Sequence, residues 1–197
     1  MPEFIKEAEG IYRLCIPFDT VYTSVFLIEA DKTVMVDCAT TRADVEDYII
    51  PALAALGYAP TDIDMLVLTH MHGDHAGGRE YFLAHSPYTE VIRDVRELCD
   101  GVRTYPMAGH TNDFIGVLDL RSGALISGDG IQGAGVDKYR TSLADKSEYV
   151  KTLERVKNDT RVEHLLFSHA YEPWFCDKAI GRQRVLCCLE DSYEFID

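Results

Sequence analysis

The 197-residue sequence predicts an α/β protein, strands mixed with amphipathic helices, forming one domain over residues 1–197. Three observations carry that expectation. The run from Met65 to Thr69 is apolar on both faces, as a buried strand requires, and it leads straight into His70-Met71-His72-Gly73-Asp74-His75. The first 37 residues alternate in the manner of a β-meander. Helical spacing recurs at Val45, Ile49, Leu53 and Leu56, at Tyr149, Leu153 and Val156, and at Val185, Leu189, Tyr193 and Ile196. A chain of this length buries about 70% of its unfolded surface, enough for a sizeable core.

The elements follow in order. Strands are expected at Ile11–Ile16, Ser24–Ala30 and Thr33–Asp37, with Asp31-Lys32 as the last turn. A helix then starts at a Thr40 or Thr41 cap, is kinked by Pro51, and closes on Gly57 as a left-handed cap. After the histidine loop, residues 79–84 continue as helix, 90–92 form a strand, 93–99 a short helix and 102–105 another strand. A hairpin of 114–120 and 124–127 turns at Arg121-Ser122-Gly123 and leads through Gly128 to Asp129. Asp145-x-x-Glu148 has the form of a capping box ahead of a helix. Residues 162–167 read as a buried strand ending on Ser168-His169, and 178–196 as a closing helix.

Net charge is −14 with the histidines neutral. Such a surface repels phosphate backbones, which argues against nucleic-acid partners. No stretch is long and apolar enough to span a bilayer, and the N-terminus lacks the pattern of a secretion signal. Cys15, Cys38, Cys99, Cys176, Cys187 and Cys188 have no disulfide-framework spacing. Reduced thiols in a cytoplasmic protein are therefore expected.

His70, His72, Asp74 and His75 put four ligand side chains within six positions. Imidazole with carboxylate suits zinc or iron rather than calcium. This His-x-His-x-Asp-His after an apolar strand resembles the signature of the metallo-β-lactamase-fold hydrolases. Gly109-His110-Thr111, Ser127-Gly128-Asp129 and Ser168-His169 match the family's remaining ligand motifs in order, so five of the seven histidines fall on motif positions. The resemblance implies an αββα sandwich with two metals at one edge. His70, His72 and His110 would hold one ion, Asp74, His75 and His169 the other, with Asp129 bridging. The implied cofactor is a pair of divalent ions, zinc first, with iron or manganese as alternatives. They would share a hydroxide for hydrolysis of a small thioester, lactone, lactam or phosphoester, with Asp74 and Asp129 as the catalytic carboxylates.

Two departures from the family pattern stand out. Its Asp-Thr-Gly is here Asp37-Cys38-Ala39, where Asp37 either steadies the metal loop or binds strand-end amides. Its Thr-Pro-Gly-His is here Met107-Ala108-Gly109-His110, and the 34 residues between His75 and His110 are few for the family. No segment corresponds to the helical domain with which glyoxalase II holds a glutathione thioester. Tyr139 and Arg140, in the glycine-rich stretch 130–141, are candidate substrate contacts or else surface residues. His85 is expected to be structural or exposed, and His164 a satisfied core histidine. Two other functions fit the motif: a mononuclear iron sulfur dioxygenase using His70, His110 and Asp129, and a non-catalytic metal-binding protein. The partner expected is a small-molecule substrate, and the oligomeric state stays open.

Overall fold

The computed structural model describes residues 2–131, 142–171 and 176–196. The chain forms two compact units, residues 1–93 and 94–197. Among the described residues no helix is long and apolar enough to cross a membrane.

The first unit is built on a six-stranded mixed sheet. Its strands are β1 (Ile5–Ala8), β2 (Ile11–Phe18), β3 (Val21–Glu29), β4 (Thr33–Val36), β5 (Met65–Val67) and β6 (Glu90–Ile92), in that spatial order. β1 to β4 are antiparallel neighbours, whereas β4, β5 and β6 run parallel. Each parallel step needs a crossover. The first is a wide helical turn, Asp44–Ile49, that runs into α1 (Ile50–Leu56). Thr41 and Asp44 start it reciprocally: Asp44 N donates to Thr41 Oγ1, and the Asp44 carboxylate accepts from the amides of Thr40 and Thr41. Pro51 has no N–H for an interior helical bond, and it sits where the wide turn gives way to α1. Gly57, at φ +90°, closes the helix as expected. The second crossover is α2 (Gly73–Ala76) followed by α3 (Arg79–His85). Val45, Ile49, Leu53 and Phe82 from these helices pack with Leu14, Leu27, Met35 and Leu66 of the sheet in one buried core.

β1 is absent from the sequence expectation because Lys6 and Glu7 spoil its apolar alternation. The structure accommodates Glu7 by pairing it with Arg13 of β2 at 3.0 Å, both side chains buried, with the guanidinium over the Phe26 ring.

The second unit has its own six-stranded sheet: β7 (Glu97–Cys99), β8 (Val102–Pro106), β9 (Ile115–Asp119), β10 (Ala124–Gly128), β11 (His164–Phe167) and β12 (Lys178–Ile180), neighbours in that order. Only β10 and β11 run parallel, joined by a connection that contains α4 (Lys146–Asn158). Asp145 caps α4, accepting from the amides of Ser147 and Glu148. The reciprocal half of the expected capping box is not made: Asp145 N donates to Gly109 O, and Glu148 pairs with Lys151. Tyr149, Leu153 and Val156 pack with Leu118, Leu125, Leu165 and Phe167, and with Val185 and Leu189 of α5 (Arg182–Ile196).

Two helix expectations are corrected here. Residues 97–99 form an edge strand, because Asp100-Gly101, with Gly101 at φ +74°, turns the chain back into β8. Residues 178–180 pair antiparallel with β11, and Gly181 at φ +89° delays the last helix to Arg182. His164 accepts from Gly181 N, which satisfies it structurally, and His85 is exposed.

Gly78 shows how tightly the first unit is packed around its ligand loop. A Cβ there would run into the Cys38 carbonyl oxygen and come within 2.9 Å of Val45 Cγ2. Nothing lies within 4 Å of a Cβ on Gly73. Gly78→Ala should therefore cost about 2 kcal/mol in denaturant unfolding, and Gly73→Ala less than about 0.5. Equal stabilities for the two variants would contradict the packing.

Candidate metal centre

In the first unit the candidate ligands follow the carboxyl end of β5, and Asp37 follows that of its parallel neighbour β4, where open parallel sheets present their loops. Beyond β5 the backbone stays paired for one more residue, Leu68 N donating to Ile92 O. Thr69 then meets Asp37. Its amide and its hydroxyl both donate to the Asp37 carboxylate, at 2.8 Å each. Asp37 reaches this position with φ +62°, and Ala39 holds φ +57°, the left-handed conformation for which the family pattern has glycine. The same carboxylate accepts from His75 Nδ1 at 2.7 Å.

These bonds settle the proton positions on two imidazoles. A carboxylate only accepts, so His75 Nδ1 is the donor, and in the neutral ring Nε2 carries the lone pair that a metal takes. The Thr69 hydroxyl proton is committed to Asp37, so at 3.1 Å Thr69 Oγ1 accepts from His70 Nδ1. His70 is thus set in the same tautomer. The His70 ring lies 4.4 Å from that of His72 and 4.3 Å from that of His75, centroid to centroid. The ligand atoms of His70 and His72 lie within 4.8 Å of each other, as do those of Asp74 and His75. Asp74 Oδ2 is 3.3 Å from His75 Nε2 and accepts from Thr23 Oγ1. His70 and His75 are buried, Asp74 partly so, and His72 is exposed.

Cys38 is enclosed beside this loop, its amide and thiol both directed to the His75 carbonyl. Burial, and next the Asp37 charge, push its thiol well above the ordinary range. It is protonated at neutral pH and is no nucleophile.

The second unit brings His110, Asp129 and His169 together. Asp129 and His169 follow the carboxyl ends of the parallel pair β10 and β11, and Gly128 at φ +54° makes the turn into Asp129. His110 follows β8 on a loop clamped by α4: a Cβ on Gly109 would meet the Tyr149 Cα at 2.7 Å, and Thr152 Oγ1 donates to Ala108 O. The missing proline of this loop is thus offset by packing. His110 Nδ1 donates to the Ser142 carbonyl at 2.7 Å, which again leaves the lone pair on Nε2. Asp129 lies between two imidazoles, with Oδ1 3.2 Å from His169 Nε2 and Oδ2 3.7 Å from His110 Nε2. All three side chains are buried.

Each unit therefore contributes His and Asp side chains that could hold a metal ion, and the donor chemistry suits a divalent transition metal. The outer partners Thr69, Thr23 and Ser142 carried no signal in the sequence, since single hydroxyls and a loop carbonyl belong to no motif. Tyr139 and Arg140 lie outside the described residues.

Comparison with known proteins agrees with the fold. Residues 18–98 match the model of the metallo-beta-lactamase superfamily. The beta-lactamase-like protein 2 homolog of Caenorhabditis elegans is 29% identical over 171 residues, covering 74% of this chain and 56% of that protein. The chain thus spans little more than half the length of that relative. The metallo-beta-lactamase FIM-1 of Pseudomonas aeruginosa, solved in a mono-zinc form, superposes with a TM-score of 0.76 at 16% identity, covering 99% of this chain and 96% of that one. Rubredoxin oxygen:oxidoreductase from Desulfovibrio gigas gives 0.74 at 15% identity, covering 98% of this chain and 61% of that one. At these identities the likeness establishes the fold.

The Asp37 bonds generate a direct expectation. Asp37→Ala releases Thr69 and His75 together, and loss of such an outer partner costs about 10–100-fold in metal affinity. Competition against a chromophoric chelator should show that loss, and an unchanged affinity would contradict the role of Asp37.

Proposed function

Because this chain has the fold of the metallo-β-lactamase superfamily, we propose that it is a metal-dependent hydrolase acting on a small ester-like substrate. In this proposal the two units serve as one catalytic domain. His70, His72 and His110 would hold one divalent ion, Asp74, His75 and His169 a second, and Asp129 would be shared between them. Zinc is the first candidate, with iron or manganese as alternatives. The observation that carries the proposal is the set of Nδ1 hydrogen bonds on His70, His75 and His110, which orient each ring to offer Nε2.

Bound there, the ions would supply Lewis acidity toward a carbonyl or phosphoryl oxygen and a water that ionises near neutral pH. The chain supplies the rest. Asp37 keeps His70 and His75 in their ligating tautomer, and Asp129, set between His110 and His169, would serve both ions. Asp74 adds negative charge beside His75, which raises the basicity of the ligand set. No serine or cysteine nucleophile is required, in keeping with the protonated, enclosed Cys38. Thioester, lactone, lactam and phosphoester are the substrate classes that this chemistry serves. Tyr139 and Arg140 are proposed as substrate contacts from their sequence position after Asp129.

A redox function has one observation in its favour, the likeness to an oxidoreductase of the same fold. In its single-iron form, a sulfur dioxygenase would need only His70, His110 and Asp129. The additional presence of Asp74, His75 and His169 favours the two-metal hydrolase. It also disfavours a non-catalytic metal-binding protein, which has no need of a complete ligand set.

The test is a panel of ester, thioester, lactone, lactam and phosphodiester substrates, followed by kcat/KM for two variants on the best of them. Asp129→Ala should lose at least 10²–10³ in rate, as removal of a well-placed electrostatic group does. Tyr139→Phe should lose about tenfold at most, the worth of one hydrogen bond. Near-normal turnover by Asp129→Ala would overturn the bridging role, and oxygen consumption with a thiol or persulfide substrate but no hydrolysis would support the redox function instead.

A further inference from the structure

The second unit has a cavity of about 200 Å³, lined by Arg103, Tyr105, Pro106, Arg155, Asp159 and Arg161. None of these residues belongs to the proposed metal centre. Three guanidinium groups against one carboxylate give this lining a charge of +2, in a chain whose net charge is −14. Glu97 reaches Arg103 from the rim at 3.1 Å and lowers the balance to +1. A basic pocket in so acidic a chain does not follow from composition.

The three arginines are held differently. Arg161 grips Asp159 with Nε and Nη2, at 2.8 and 2.7 Å, and the Tyr105 hydroxyl donates to the same carboxylate at 3.3 Å. Asp159 is thereby kept below the usual carboxylate range, chiefly by Arg161. Its charge is spent on Arg161, whose fixed plane turns a flexible side chain into part of the wall. Arg155 donates one Nη1 hydrogen to the Pro106 carbonyl at 2.9 Å, and among the described residues it makes no ion pair. Four of its five N–H donors are therefore left for a ligand or water. A guanidinium anchored through one edge, beside two more, matches the fork geometry with which arginine takes tetrahedral oxyanions. The cavity has room for one phosphate group and a few waters.

We propose that this pocket binds a phosphate group, either free inorganic phosphate or the phosphate of a small metabolite, with Arg155 as the principal donor and Arg103 and Arg161 as its flanks. The pocket stands on the geometry of the second unit and does not depend on the proposed hydrolase function.

The experiment is a calorimetric titration of the metal-loaded full chain with inorganic phosphate. One saturable site per chain is expected, weakened tenfold or more in Arg155→Gln and also in Arg103→Gln. Arg42→Gln, which alters an exposed arginine paired with Glu46, should bind as the unaltered protein does. Circular dichroism verifies the fold of each variant, and Arg103→Gln carries the test if Arg155→Gln does not fold. A parallel titration with glycerol phosphate separates the two sources: tighter binding than inorganic phosphate identifies a phosphorylated metabolite, and equal or weaker binding identifies the free ion. Absence of saturable binding overturns the proposal. So does binding that survives unchanged in both arginine variants, because phosphate would then be held elsewhere, the metal centre included.

Discussion

A single carboxylate, that of Asp37, receives the Thr69 amide, the Thr69 hydroxyl and His75 Nδ1 within 2.7–2.8 Å. The ordering of the ligand loop depends on this interaction. Through Thr69 it fixes the end of β5 and the tautomer of His70, and through His75 it ties the start of the loop to its helical end. The carboxylate reaches this position because residue 37 accepts φ +62°, a left-handed conformation that aspartate tolerates better than most residues. Backbone strain of about 1 kcal/mol or more at residues 37 and 39 is sustained by these bonds and by the close packing of Gly77 and Gly78 on the carbonyls of Thr40 and Cys38.

The two units use the same device. In each, the candidate site stands just beyond the carboxyl ends of a parallel strand pair: Asp37 after β4 and the candidate ligands after β5 in one, Asp129 and His169 after β10 and β11 in the other. Parallel strands end side by side, so loops leaving them are neighbours without any long-range adjustment. The long crossovers that parallel pairing demands also bring helices whose apolar faces bury the sheets. Ligand geometry is thereby placed on rigid elements, which a metal site needs more than a flexible binding loop does.

How far the sequence was legible follows from where its physics is local. The β5 strand, the His70–His75 loop, the Gly57 cap, the Gly128 turn and the Asp145 cap rest on short-range pattern, and each appears in the structure. Asp37 was open between two roles, and the structure shows both: it accepts the Thr69 amide at the end of β5, and it holds the His70–His75 loop through His75 Nδ1. β1 could not be seen, because the Glu7–Arg13 pair that makes a charged strand tolerable joins two strands. The helix expected at 93–99 failed for a similar reason: Asp100-Gly101 imposes a hairpin whose second strand lies outside the helical window. Ser142 holds His110 across 32 residues, and only the folded chain brings them together.

The central claim is that seven His and Asp side chains serve one pair of metal ions. Crystals of zinc-loaded protein, with diffraction data collected on both sides of the zinc absorption edge, test it most directly. The account predicts two anomalous peaks per chain about 3.5–4 Å apart, one against His70, His72 and His110, the other against Asp74, His75 and His169, with Asp129 touching both. A single peak, or peaks away from these residues, would contradict it.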